Sequence, residues 1–483
     1  MQVILNSPGF SYDVHSLVKA FYPEEDVSIV ATGDEGILSV SVNPCDITGD
    51  DNTGSAKVSG TGESGPVCAR EEFSHIGRAK VKSLVKRLLY SVLTGMTQRV
   101  LPWGTMTGIR PVKVPMKLIR EGASDADIAA YMGSVYLCGD SRTDLAIKIA
   151  HTEKKILDTI KPGGFSLYIG IPFCPTTCMY CSFTSYPVAS AKDIIKDYLD
   201  AVKAELDFFA GYYDCGPDSV YIGGGTPTTL SAAELEDLCG YVRKRFDMSA
   251  CREFTVEAGR PDSITDEKLA ALKQCGVSRI SINPQTMNDK TLELIGRKHT
   301  VNDVYKAFEK ARKAGFSNIN ADIILGLPGE GKEEVTKTLD RISTLSPDSL
   351  TIHSMAIKRA AKMQEFLSNH SELRARDTDK VMDMAVKRAA SLGLVPYYLY
   401  RQKNMSGNLE NIGFAQEGCF GIYNVIIMEE VSDIAAAGAG TISKRVFAHD
   451  RIERSDNVKD VRLYIDRIDE MIERKKKLFN KGE

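Results

Sequence analysis

The segment IPFCPTTCMYCSF, residues 171–183, carries Cys174, Cys178 and Cys181 at the spacing C-x3-C-x2-C. Thiolates gathered this closely hold a metal or do redox chemistry, and the spacing separates the choices. A structural zinc site takes four ligands, usually as two C-x2-C knuckles, and the sequence has no second knuckle. A dithiol redox pair would use Cys178 and Cys181 and leave Cys174 without a task. A [4Fe–4S] cluster normally takes one thiolate per iron. Three thiolates leave one iron with an open position, which is where a metal centre binds a reactant. The chain has 11 cysteines, and those outside this group are scattered. That is a poor disulfide framework, suits a reducing compartment, and makes most of them small buried hydrophobes.

Such a loop needs a rigid frame. From about residue 163 apolar strands alternate with amphipathic helices: SLYIGI (166–171), DSVYIG (218–223), EFTVEA (253–258), SRISIN (278–283), NINADIIL (318–325) and DSLTIHS (348–354). Between them lie helical runs such as SAAELEDLCGYVRKRF and TVNDVYKAFEKARKAG, several with a Ser, Thr or Asp start and a Gly stop. This is an α/β pattern. It predicts a parallel sheet curled into an open partial (β/α)6 barrel, with its ligand at the C-terminal strand ends. The cysteine loop follows strand one, GGGTPT (223–228) follows strand two, Glu257 closes strand three, Gln285 follows strand four and Asp322 lies on strand five. All five features face one mouth. The glycines admit close backbone approach, and Glu257, Asp322, Gln285 and Arg297 can meet hydroxyls, an ammonium, an amide or a carboxylate.

Residues 1–160 read as an α+β domain. Strand-like QVILN, VSIVAT and ILSVSV are followed by ITGDDNTGSAKVSGTGESGP, which reads as a mobile loop or loose hairpin tip. REEFSHIGRAKVKSLVKRLLYSVLTGM then reads as helical, and LPWGTMTGIRPVK as an ordered connector holding the only tryptophan, Trp103. Residues 161–360 form the barrel. Residues 361–483 form a helical and mixed region expected to close the site, ending in an amphipathic helix with a basic, frayed tail.

At 483 residues the chain exceeds one ordinary domain, and 43% hydrophobic with 26% charged residues is a globular composition. No apolar run approaches a membrane span, and the N-terminus does not read as a signal peptide, so a cytoplasmic address is expected. A net charge of −3 gives no general attraction to nucleic acid.

At Cys174, Cys178 and Cys181 the chain resembles the radical S-adenosylmethionine (SAM) superfamily. That resemblance implies a [4Fe–4S] cluster on these three cysteines, with SAM chelated on the open iron and cleaved by one electron to methionine and a 5′-deoxyadenosyl radical. YIGIPFC, YIGGGTPT, FTVEAGRPD, RISINPQTMND, LIGRKHT and ADIILGLPGE run in the order seen in the oxygen-independent coproporphyrinogen dehydrogenases and their relatives. LPWGTMTGIRPVK, MSGNLENIGFAQEGCFGIYNVIIMEE and GAGTISK look like the HemZ-type subgroup. By this resemblance Tyr168, Tyr180, Gly224, Gly225, Thr226, Glu257, Gln285, Arg297, Asp322, Ala356 and Ile442 contact one or two SAM molecules. The implied reaction turns two propionates of coproporphyrinogen III into vinyl groups, giving protoporphyrinogen IX. It needs a low-potential electron donor of flavodoxin or ferredoxin type. Lys358, Arg359, Arg401 and Lys403 are candidate cations for the tetracarboxylate substrate.

Two positions depart from the family pattern. Phe183 stands where dehydrogenases carry a further cysteine, as in the related haem-chaperone branch, and Gly170 stands where a histidine is usual. A haem-binding, chaperone-like role therefore stays open, with Cys419 as a candidate iron ligand, although NLENIGFAQEGCFGIYN lacks the His and Trp typical of that branch. Radical chemistry on another tetrapyrrole is the third reading. The N-terminal domain is expected to cover the mouth or bind a partner.

Overall fold

The computed structural model describes residues 1–23, 25–31, 38–161, 163–181, 185–355, 362–374, 378–402, 409–448 and 451–480. They form two compact units, one of residues 1–151, 354–357 and 399–411, the other of residues 152–353, 358–398 and 412–483.

In the first unit a five-stranded sheet runs in the order Ser28–Val30, Gln2–Leu5, Leu38–Asn43, Asn52–Gly62, Gly65–Ile76. Its apolar face, with Val3, Leu5, Val40 and Val58, packs with the helices Ser11–Phe21 and Arg78–Thr97 in one core. Of the two expectations for the Gly/Ser-rich stretch, the mobile loop fails and the hairpin holds, with its tip at Glu63 and Ser64. Asn52–Gly62 is an 11-residue strand paired antiparallel with the next from Gly62↔Gly65 onward. Cross-strand pairing with a 12-residue partner overrides weak local propensity here. The same pairing takes Arg70–Ile76 into a strand, so the helix begins only at Arg78. In the connector Trp103 is buried, and its indole N–H donates to Glu410 Oε2 at 2.7 Å.

The second unit holds the strands Phe165–Ile171, Ser219–Gly224, Glu253–Gly259, Arg279–Gln285, Ile319–Leu325 and Ser349–Ser354, adjacent in that order. The first five pair in parallel. The sheet stays open. At the strand-one side Asp433–Ala437 adds a further parallel strand, with Ala436 opposite Tyr168, and a hairpin of Ile442–Val446 with Ile452–Asp456 follows. The helices start where their caps say: Ser231 and Thr300 each close a capping box with the third helical residue. The C-terminal segment is two helices, Val461–Asp466 and Ile468–Phe479, rather than one. Leu167, Ile169, Val220, Ile222, Val256, Ile280, Ile282, Ala321 and Ile323 are buried on the sheet's outer face, each Val, Leu or Ile contributing about 1.5–3 kcal/mol.

Candidate active site

The alternate positions of these strands are polar and line the inside of the arc, as strand geometry requires. Strand by strand the inward residues include Ser166 and Tyr168, Ser219 and Tyr221, Glu253, Thr255 and Glu257, Arg279, Ser281 and Asn283, Asn320 and Asp322, and Ser349, Thr351 and His353. They satisfy one another around the arc: Ser219 Oγ donates to Ser166 Oγ at 2.8 Å, Asn320 Nδ2 donates to Ser281 Oγ at 2.9 Å, and Arg279 Nη2 donates to Ser349 Oγ at 3.2 Å. The interior is therefore a preorganised polar cup and not an oily core.

The cysteine loop leaves strand one at the cup's rim. None of the three is disulfide-bonded, and Cys178 is buried. Thr226 Oγ1 donates to Cys174 Sγ at 3.6 Å, and the Gly225 N–H donates to Ile171 O at 2.8 Å. A Cβ on Gly225 would lie 2.6 Å from Phe173 O and 3.1 Å from Cys174 Sγ, so only glycine lets these two loops meet. Gly224 takes φ +107°, a backbone conformation that side chains disfavour. No three described His, Cys, Asp or Glu side chains converge as a single-ion site. Three thiols on one loop, with Thr226 donating to the Cys174 sulfur, are a donor set that fits an iron–sulfur cluster.

Arg297 secures the other side of the loop. Its Nη2 donates to the Tyr180 hydroxyl at 2.9 Å and its Nη1 to Asn283 O at 2.6 Å, while Nε has no described partner. Burial pushes the Tyr180 phenol up, so it stays neutral, with the Arg297 charge opposing. Gln285 sits at the end of strand four with φ +67°, 8% exposed, and its Oε1 has no described hydrogen-bond donor. A left-handed backbone conformation and a buried acceptor with no described partner coincide at this one residue.

The carboxylates diverge electrostatically. Burial pushes the Glu257 carboxyl up to about 7, opposed by hydrogen bonds from the Tyr221 hydroxyl, at 2.6 Å, and from Gly224 N–H. Burial would raise Asp322 too, but hydrogen bonding and charge from His353, 3.8 Å away, together with Asn320 Nδ2 at 2.7 Å, hold it below its ordinary value. Because the folded pKa of Glu257 exceeds its ordinary 4.5, its contribution favours the fold below that pH and is lost as pH rises toward about 7. Anaerobic urea titrations across this window should show the loss, on the order of 3 kcal/mol, and Glu257→Gln should remove that part of the slope.

Tyr168, Tyr221 and Tyr423 stack at centroid distances of 6.1, 5.8 and 4.7 Å. Burial raises all three phenols, so they pack as neutral rings. Tyr423 is placed by its helix Ile422–Glu429, whose first amides donate to the Glu253 carboxylate. Ile442 follows a loop, Gly438–Thr441, lying against the end of strand one. A Cβ on Gly170 would approach Thr441 Cγ2 to 2.6 Å, so that methyl occupies the space a larger residue at 170 would need.

The structure thus brings Cys174, Cys178, Cys181, Tyr168, Tyr180, Gly224, Gly225, Thr226, Glu257, Gln285, Arg297 and Asp322 to one end of one sheet, with Ile442 on the strand beyond the flanking loop. Ala356, Lys358, Arg359, Lys403 and Phe183 lie outside the described residues. Arg401, a candidate substrate cation, is buried and hydrogen-bonded within the first unit. It is 4% exposed and donates to Met106 O at 2.6 Å, and burial pulls its pKa down to about 10. Cys419 is half-buried, with its thiol pushed up by burial. Sequence reasoning missed Tyr221, Asn283, His353 and Tyr423. For the first three the signal was the strict alternation of polar residues along each strand.

The Radical SAM superfamily model matches residues 168–342. The coproporphyrinogen III oxidase HemN from Escherichia coli, whose structure is described as that of a radical SAM enzyme, shares the fold at a TM-score of 0.51 and 22% identity, over 67% of this chain and 73% of that one. Fold and cysteine loop together define a radical SAM protein, a class whose cofactors are a [4Fe–4S] cluster and SAM. Within it the chain belongs to the oxygen-independent coproporphyrinogen-III oxidase-like family: it is 38% identical to the HemZ protein of Bacillus subtilis over 416 residues, 83% of this chain and 82% of that one. Heme chaperone HemW of the same organism is 37% identical over 195 residues, 40% of this chain and 51% of the chaperone.

Proposed function

We propose that this protein is an oxygen-independent coproporphyrinogen III dehydrogenase, converting two propionates to vinyl groups. The observation that carries the cofactor part is the polar cup with three thiols on the loop at its rim and, at the end of strand four, the buried Oε1 of Gln285 with no described partner. The tetrapyrrole part rests on kinship with the HemZ-type relative. Cys174, Cys178 and Cys181 hold the cluster. Gly224, Gly225, Thr226, Glu257, Gln285, Arg297, Asp322, Tyr168, Tyr180, Ala356 and Ile442 hold one or two molecules of SAM. When bound, the cluster and SAM supply a carbon radical that removes a propionate hydrogen. Loss of carbon dioxide, with one electron passing to an external acceptor, would then leave the vinyl group.

The chain's own residues orient and shield. Arg297 fixes Tyr180 beside Cys181, the stacked tyrosines fill one side of the cup with rings, and Glu257 and Asp322 present acceptors of opposite protonation tendency. The proposed surroundings are cytoplasmic, with an electron donor of flavodoxin or ferredoxin type. The first 160 residues would cover the mouth or bind that donor, and residues 361–483 would close the site. Among the described residues no helix is long and apolar enough to cross a membrane.

Similarity to Heme chaperone HemW favours a second reading, haem binding without decarboxylation. One anaerobic experiment separates them. The chain is reconstituted with iron and sulfide and given dithionite, SAM and coproporphyrinogen III, and 5′-deoxyadenosine and decarboxylated porphyrin are quantified by mass spectrometry. Both products in proportion are expected. Deoxyadenosine without decarboxylation would redirect the search to other tetrapyrroles, and neither product with tight haem binding would favour the chaperone.

A further inference from the structure

Glu205 lies in the helix Ile195–Tyr212 that follows the cysteine loop, and its side chain is fully buried. It accepts from Gly438 N–H at 2.8 Å, from Asn457 Nδ2 at 2.9 and 3.1 Å, from the Tyr464 hydroxyl, and it pairs with Lys475 of the C-terminal helix, also fully buried. Tyr198, two turns earlier on the same helix face, donates to Gly170 O at 2.5 Å and accepts from Ala439 N–H at 3.1 Å. Asn457 completes the wrap: its Nδ2 donates to Gly438 O at 2.9 Å and its N–H to Thr441 O at 3.0 Å. Gly438 itself has φ +111°, and a Cβ there would strike Gly170 O at 2.6 Å.

The loop Gly438–Thr441 is therefore held through its own backbone against the last residues of strand one, four positions before Cys174. A buried Lys–Glu pair is a poor way to gain stability, since apolar residues of similar volume often do as well or better. What apolar residues cannot do is satisfy Gly438 N–H and fix where the loop stands.

We propose that Glu205 is a positioning residue for the SAM site: it sets the Gly438–Ile442 loop, and the C-terminal helix locks that setting through Lys475. This rests on the assignment of Ile442 to SAM made above. The test is anaerobic SAM binding by calorimetry on the reconstituted full chain, with iron content and amide hydrogen exchange measured in parallel. Glu205→Ala should weaken SAM binding about 10- to 100-fold, as loss of supporting partners does at other cofactor sites, with iron content unchanged. Exchange at Gly438–Ile442 should rise in step. The double variant Glu205→Gln with Lys475→Met should recover binding, because Gln still accepts from Gly438 N–H and no buried charge is left unpaired. Should Glu205→Ala fail to fold, Tyr198→Phe removes one hydroxyl from the same lock and must show the same paired change. Wild-type SAM affinity in the variants with unchanged exchange overturns the inference alone. A cluster-loaded wild type that binds no SAM overturns the site assignment as well.

Discussion

Replacing any one of Cys174, Cys178 or Cys181 by Ala is expected to remove the visible iron–sulfur absorbance and reduce SAM cleavage to background. With three thiolates and one open iron, the cluster has no spare ligand, so loss of a second iron's thiolate leaves it exposed to dissociation. The fold should survive, because the loop is also held by the Met179 amide on Ile295 O at 3.0 Å and by Arg260 on Thr176 Oγ1 at 2.6 Å. Cys239→Ala is the matched control. That thiol is fully buried within the helix Ala232–Arg245, where burial raises its pKa and keeps it an inert thiol. Normal SAM cleavage in any of the three loop variants would remove the basis of the cofactor assignment.

Gly225→Ala should do nearly as much damage while leaving all three cysteines in place. The added methyl would stand 2.6 Å from Phe173 O and 2.9 Å from Ile171 O, both backbone atoms that cannot swing away. Relief requires moving the strand end that carries Cys174, at a cost of about 1–3 kcal/mol for overpacking. Iron bound per chain should fall well below wild type, and the thermal midpoint of the iron-free protein should drop. A variant with full iron content and normal stability would show that the two loops do not pack as described. Gly240→Ala, where a Cβ meets nothing within 4 Å, is the neutral comparison.

Some of this was legible before any coordinates. The alternation of strand and helix, the Ser and Thr caps and the glycine stops placed the six strands within about two residues of where they stand, because each signal is local. The failures were also physical. Asn52–Gly62 has the composition of a loop, and becomes a strand because Gly65–Ile76 supplies the ladder it lacks alone. Arg70–Ile76 was read as the first turns of a helix for the same reason: its partner lies across a hairpin.

At the site, sequence by itself determined the chemistry-bearing loop. Cys174, Cys178 and Cys181 are close in the chain, and their spacing constrains ligation before folding. It also placed Glu257, Gln285 and Asp322 on strand ends, hence at one mouth. Only the tertiary structure decided the electrostatics, since burial pushes Glu257 up while His353 holds Asp322 down, and each effect depends on neighbours from other strands. It alone showed that Arg401 is consumed by packing in the first unit, that Thr441 fills the space beside Gly170, and that Glu205, Asn457 and Lys475 meet around one loop. Those partners are 252 and 270 positions away from Glu205, and no local pattern reports a contact made at that range.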